Sequence, residues 1–256
     1  MEVQIWQYLI VCPLIFLAGI VDAIGGGGGL ITIPAYILAG LPVHFAIGTN
    51  KLSSVMGTFM VTGKYLYDGY IQIKLAGFSV IFAMLGSSLG ARTTLLIDAR
   101  ILRIIMLFLL PLTAFYVFKS QDLIQDKKIE PLSEKNTFIV AMLIAFFLGF
   151  YDGFYGPGAG TFMLLLLAGL GRLSLQKANG VAKVINLSTN LAAVTVFLID
   201  NKVILPLGLT AGIFSIAGNY IGARSFEKGG AKVVRPVILI VIAIFFVRVL
   251  YEIIYK

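Results

Sequence analysis

The sequence predicts an all-α integral membrane protein built from two pseudo-symmetric repeats, with about eight long transmembrane helices and two short, glycine-broken half-helices. Three observations carry that prediction. Apolar residues fill 59% of the 256 positions and charged residues only 12%, whereas roughly a quarter of a soluble domain is charged. Apolar stretches recur along the chain at the length of a bilayer crossing. The second half also repeats the first: Ala46 to Arg103 and Ala178 to Arg235 align without a gap at an offset of 132, with 14 identities in 58 positions.

The apolar runs fall at about 5–24, 50–67, 72–91, 101–118, 136–152, 179–199, 204–223 and 233–252. Each approaches the ~20 residues that cross ~30 Å of hydrocarbon at 1.5 Å per residue. None shows the alternation of a barrel strand, so helices are the form that satisfies the backbone in lipid. The first run follows Glu2 with no basic residue ahead of it, so it reads as the opening helix of the repeat rather than a cleavable leader.

Gly25 to Gly29 come next. Glycine costs about 1 kcal/mol per helix position relative to alanine, so five in a row end the first helix. The segment that follows, Leu30 to Leu41, is too short for a comfortable crossing. The second half keeps this order: a long run to Asp152, a break at Tyr155-Gly156-Pro157-Gly158-Ala159-Gly160, then the short segment Thr161 to Leu170. Gly19-x-x-Asp22 answers Gly149-x-x-Asp152 at an offset of 130. The densest match sets Gly86-x-x-x-Gly90-Ala91-Arg92 against Gly218-x-x-x-Gly222-Ala223-Arg224, a small-residue spacing that lets helices approach closely. Lys119 to Asn136 is the one long polar stretch. The chain therefore reads as one membrane domain, 1–256, with repeat one at about 5–118, a polar linker at 119–135 and repeat two at about 136–254. Two topologies fit. Re-entrant short segments give eight crossings and parallel halves, which segment length favours; crossing short segments give ten and inverted halves, which the count of basic loop residues favours.

The polar residues inside these runs are patterned. Asn179, Lys183, Asn186 and Asn190 follow i, i+4, i+7, i+11 and share one helix stripe. Subtracting 132 gives Ile47, Lys51, Ser54 and Thr58, again one stripe, with Asn50 beside it. Ionisable groups inside a span usually face the bundle interior or a wet cavity. An ammonium flanked by amide and hydroxyl donors makes a seat for a small anion. Gly27, Gly28, Gly29, Gly158 and Gly160 lie at the breaks, where a helix start offers N–H groups to an anion. Asp22 and Asp152 close the first helix of each half. They cap the glycine turn, pair with a lysine, or carry a coupling proton. The plainer reading of the lysines is that each snorkels to the interface, and Lys51 stands early in its predicted span.

Other functions lack their residues. One His and one Cys, without a zincin motif, a nucleophile elbow or a Gly-Lys-Ser/Thr after the pentaglycine, leave no framework for an enzyme, a metal site or a resident cofactor. The lone Cys12 cannot close a disulfide within the chain. The net charge of +8 sits on residues flanking the spans, the ordinary bias of membrane loops, so nucleic acid is not an expected partner.

Taken together, the motifs resemble those of the sulfite exporter TauE/SafE family of membrane permeases. The matching text is Gly19-Ile-Val-Asp22-Ala-Ile-Gly25 through Gly29 and Leu30-Ile-Thr-Ile-Pro34, then Ala46-Ile-Gly-Thr-Asn50-Lys51-Leu52. In the second half it is Tyr151-Asp152-Gly153-Phe154-Tyr155-Gly156-Pro157-Gly158, Ala182-Lys183-Val184-Ile185-Asn186 and the paired Gly-x-x-x-Gly-Ala-Arg motifs. The resemblance covers nearly the whole chain. It implies a permease for small anions, with members linked to sulfite, sulfoacetate and other sulfonates. The expected function is secondary transport of such an anion by alternating access of the two repeats, with a passive anion channel as the alternative. The expected partners are a small anionic substrate, the lipid bilayer and a coupling proton or cation; a homodimer is left open. The expected location is a bacterial or archaeal cytoplasmic (inner) membrane.

Overall fold

The computed structural model describes residues 3–120 and 132–226. Most of the predicted linker and the last predicted span, 233–252, lie outside the described residues. Within them the chain is helical and has no strand. In order the helices are α1 (Ile5–Gly25), α2 (Gly29–Leu38), α3 (Val43–Tyr67), α4 (Ile73–Leu96) and α5 (Ala99–Ser120), then α6 (Glu134–Phe154), α7 (Ala159–Gly169), α8 (Leu175–Ile199) and α9 (Leu205–Phe226). The two short helices fall where the glycine breaks predict them, at 10 and 11 residues. Five of the long helices, α1, α4, α6, α8 and α9, are apolar and long enough to span a bilayer.

The predicted span 50–67 differs most from its helix. Pro42, with φ −58°, is the N-cap of α3, so the helix starts seven residues earlier, at Val43. A proline there is pre-set for a helix start and gives up no needed N–H. Lys51 accordingly lies in the third turn of a 25-residue helix rather than at its mouth.

Gly26 ends α1 in the left-handed region (φ 78°), and its N–H donates to the Asp22 carbonyl at 2.8 Å. That conformation strains any residue with a Cβ. The two breaks also touch. A Cβ on Gly26 would run into the Gly160 backbone, and the Thr161 hydroxyl donates to the Gly25 carbonyl at 2.6 Å. Every residue of α2 from Leu30 to Ile37 is buried. The unwound backbone is thus covered by protein, the condition for irregular chain at membrane depth.

Packing crosses between the halves of the sequence. α1 lies along α9, α4 lies along α6, and α3 and α8 fill the middle against each other and against α9 and α4. The glycine motifs make this possible. A side chain at Gly86 or Gly90 would strike the Phe146 or Phe150 carbonyl on α6, and one at Gly218 or Gly222 the Phe16 or Ile20 carbonyl on α1. Large apolar side chains such as Phe59, Phe108, Phe147 and Ile213 point outward, as a hydrocarbon solvent requires.

Candidate functional site

The crossed packing brings the two polar stripes and both breaks to one cavity of about 40 Å³, above the ~10–15 Å³ of such space that a single water molecule needs. Its lining includes Asn50, Lys51, Ser54 and Thr58 from α3, Asn186 and Asn190 from α8, and Asp22 and Asp152 from the ends of α1 and α6. Gly28, Gly29 and Gly160 line it from the breaks. The predicted residues Lys183, Asn179, Gly27 and Gly158 are outside the lining. Asn179 instead donates to the Tyr65 hydroxyl at 3.3 Å.

Both lysines are buried, at 1% exposure, and neither snorkels. Each pairs with the aspartate of the other half of the sequence. Lys51 Nζ donates to Asp152 Oδ1 at 2.9 Å, and Lys183 Nζ to Asp22 Oδ2 at 2.9 Å and to the Asp22 carbonyl. Long apolar helices can hold these charges because each is matched inside the protein; a buried ion left unpaired costs several kcal/mol.

The two pairs are not equivalent. Lys183 grips the last turn of α1 just before the Gly26 turn, and so fixes the entry to the first break. Lys51 lines the cavity, and its one hydrogen bond among the described residues goes to Asp152. An ammonium has three N–H donors, so two remain for a ligand. The far oxygen of Asp152, Oδ2, accepts from Thr189, which leaves that carboxylate engaged on both sides.

Further unpaired donors face the same space. Asn50 uses its amide oxygen to accept from Ser54 at 3.3 Å; its Nδ2 has no partner among the described residues. Asn186 likewise accepts from Asn190 Nδ2 at 3.1 Å through its amide oxygen and leaves Nδ2 unpaired. The Gly28 N–H, at the N-cap of α2, has no partner either. Ser54 and Thr58 complete one wall, with the Thr58 hydroxyl donating to the Ser54 carbonyl at 2.6 Å. Such a set can surround a small oxyanion with charge-assisted and amide hydrogen bonds.

The stripe argument missed Thr32, Ser215 and Asn219, which also line the cavity. Thr32 Oγ1 and Asn219 Oδ1 are buried without a hydrogen-bond partner. Ser215 and Asn219 are four residues apart on an apolar helix, which is itself a readable signal of one polar face. At the offset of 132 Ser215 answers Ala83, so a search for polar positions shared by both halves passes over it, whereas Asn219 answers the polar Ser87.

Comparison with known proteins gives a concordant picture. The family model described as Sulfite exporter TauE/SafE matches residues 11–249. A protein of Sinorhizobium named "Probable membrane transporter protein ORF9" is 33% identical over 240 residues, covering 93% of this chain and 90% of the relative. A "Probable membrane transporter protein" of Haemophilus influenzae is 33% identical over 237 residues, covering 93% and 92%. "Probable membrane transporter protein YfcA" of Escherichia coli K12 is 32% identical over 237 residues, covering 92% and 87%. No solved structure matches the chain.

Proposed function

The chain belongs to the sulfite exporter TauE/SafE family of integral inner-membrane proteins, and on that footing we propose that it is a secondary transporter of a small anion, an organosulfur oxyanion such as sulfite, sulfoacetate or another sulfonate. The observation that carries this reading is the buried Lys51 ammonium, which turns two unused donors toward a cavity where Asn50, Asn186 and Gly28 add unpaired N–H groups. A polar cavity of that kind in an apolar bundle recognises negative charge.

The reading includes a duplicated architecture. Helix lengths run long, short, long, long in each half. The contacts of α1 with α9 and α3 correspond, helix for helix, to those of α6 with α4 and α8. The anion seat lies where the halves meet, beside two breaks that touch, as alternating access requires of a central site. Transport then consists of rocking one half against the other about Gly26 and Gly160. Lys51 is the principal anion ligand, Asn50 and Asn186 orient its oxygens, and Lys183 positions Asp22 and the first break. The observed cavity, about 40 Å³ among the described residues, is narrow, which supports a carrier over an open pore. The whole chain forms one transport domain.

The test is exchange in proteoliposomes. Unlabelled sulfite, sulfoacetate or methanesulfonate on one side should accelerate efflux of labelled anion from the other, with saturation, and Lys51→Ala should abolish the exchange. Flux that rises linearly with concentration and ignores the opposite side would identify a channel and defeat the carrier reading.

A further inference from the structure

We propose that a monoanion is carried together with one proton held by Asp22, so that a transport cycle moves no net charge. This rests on the anion-transport reading above and adds its coupling ion.

Charge balance is the first argument. Among the described residues, the charged side chains at the centre are Lys51, Lys183, Asp22 and Asp152. Two ammonium groups and two carboxylates sum to zero. An anion entering alone would leave an uncompensated negative charge in a largely buried space, which is unfavourable. An anion entering with a proton leaves the centre neutral.

Among the described residues, the proton has one suitable acceptor. Asp152 has both oxygens engaged, by Lys51 and by Thr189, and its side chain is 4% exposed. Asp22 uses only Oδ2, toward Lys183; its side chain is 17% exposed and lines the cavity. Oδ1 of Asp22 has no partner among the described residues. The cavity thus carries two kinds of unsatisfied group. The donors on Lys51, Asn50 and Asn186 suit an anion. Of the acceptors, Asp22 Oδ1 can take a proton, whereas the buried Asn219 Oδ1 is an amide oxygen that can only accept a hydrogen bond.

Among the described residues, no other group around Asp22 competes for the proton. From α8 the neighbouring charge is Lys183, from α3 Lys51, and from α6 Asp152. Tyr65 of α3 donates its hydroxyl proton to the Ala23 carbonyl at 2.8 Å. α2 and α7 carry no charged residue, and Tyr36 of α2 donates to Ser53 at 2.8 Å. α9 presents the neutral Ser215 and Asn219, while Arg224, farther along it, stacks on Tyr220. In the cycle, a proton from water on the entry side binds Asp22 Oδ1. The anion accepts hydrogen bonds from Lys51, and both leave on the far side, restoring the ionised pairs.

Purified full-length protein in proteoliposomes, with labelled methanesulfonate as a permanently singly charged probe and an entrapped pH dye, tests this. A gradient of one pH unit, alkaline inside, should support about tenfold accumulation, with matching acidification of the interior. Potassium diffusion potentials of either sign should leave the ratio unchanged. Asp22→Asn should lose uphill accumulation, and its residual flux should respond to potential; Asp22→Glu should restore the wild-type pattern. Wild-type accumulation that follows the imposed potential without acidification overturns the proposal whatever the variants do, as does Asp22→Asn that still accumulates on the pH gradient. Wild-type protein that exchanges none of the three oxyanions overturns the anion reading itself, and the coupling with it.

Discussion

Replacing Lys51 by Met separates the two tasks of this side chain. The substitution keeps the volume and removes the ammonium, leaving Asp152, with a side chain 4% exposed, facing only Thr189. Breaking a buried ion pair at one partner costs about 3–5 kcal/mol. For a chain of this size, ~2–4 °C per kcal/mol on the soluble-protein scale makes that a fall of roughly 6–20 °C in unfolding midpoint. Asp152→Asn strands Lys51 and should fall comparably. Lys51→Met with Asp152→Asn removes both charges and should recover more than half of either loss, because the pair's desolvation goes with it. The lone Cys12 is buried, so a dye that fluoresces on reaction with thiols reports unfolding in detergent without added labels. A saturating anion gives the second readout. At 100 times its Kd a ligand stabilises by about 2.7 kcal/mol, and every variant lacking Lys51 should lose that shift. Single losses that simply add in the double variant would refute the pairing. A full anion-induced shift in Lys51→Met would refute the assignment of the binding site.

The remaining predictions use the same unfolding and binding measurements. Gly26→Ala puts a Cβ at φ 78° and against the Gly160 backbone, so strain of roughly 1–2 kcal/mol should add to the steric clash; a midpoint unchanged from wild type would argue against the touching breaks. Gly90→Ala and Gly222→Ala push α4 from α6 and α9 from α1, and each should destabilise by about 1–3 kcal/mol. Gly63→Ala and Gly77→Ala, with open space around the added methyl, should instead be neutral or stabilising by up to about 1 kcal/mol. Asn219→Ala removes a buried, unpaired amide oxygen from the cavity. Titration calorimetry should show anion affinity falling by about 2- to 13-fold, the value of one neutral hydrogen bond; unchanged affinity would place Asn219 outside the binding site.

Helix identity and the two breaks are legible in the sequence because bilayer crossing and backbone satisfaction are local constraints. Apolar run length locates the helices, and consecutive glycines locate the interruptions. Hydropathy alone puts the start of α3 too late. His44 and the polar run from Thr49 dilute the apolar signal, while Pro42, the true start signal, carries none. Lys51 and Lys183 were readable as buried because each sits on a polar stripe of an otherwise apolar helix. Which charge answers which lysine was not readable. The nearest aspartate in sequence to Lys51 is Asp68, which pairs with Lys64 four residues away. The partner it has, Asp152, is 101 residues distant, and only the crossed packing brings it near. Ser215 is hidden for a related reason: its counterpart is Ala83, and a search keyed to repetition discards what one half has alone.

The crossed pairing bears on why both halves occupy a single chain. If each half carried a lysine answered by its own aspartate, either could bury its charges without the other. Here Lys51 finds its carboxylate on α6 and Lys183 finds its own on α1, while α1 and α6 pack along helices of the opposite half. A separated half would hold a buried ammonium and a buried carboxylate with no neutralising partner and an uncovered glycine-lined helix face. The contacts that hold the halves together are therefore the contacts that build the cavity. On the transport reading, motion between the halves has to change those ion pairs' exposure, and a substrate that interacts with Lys51 or Asp22 acts directly on the equilibrium between the two access states.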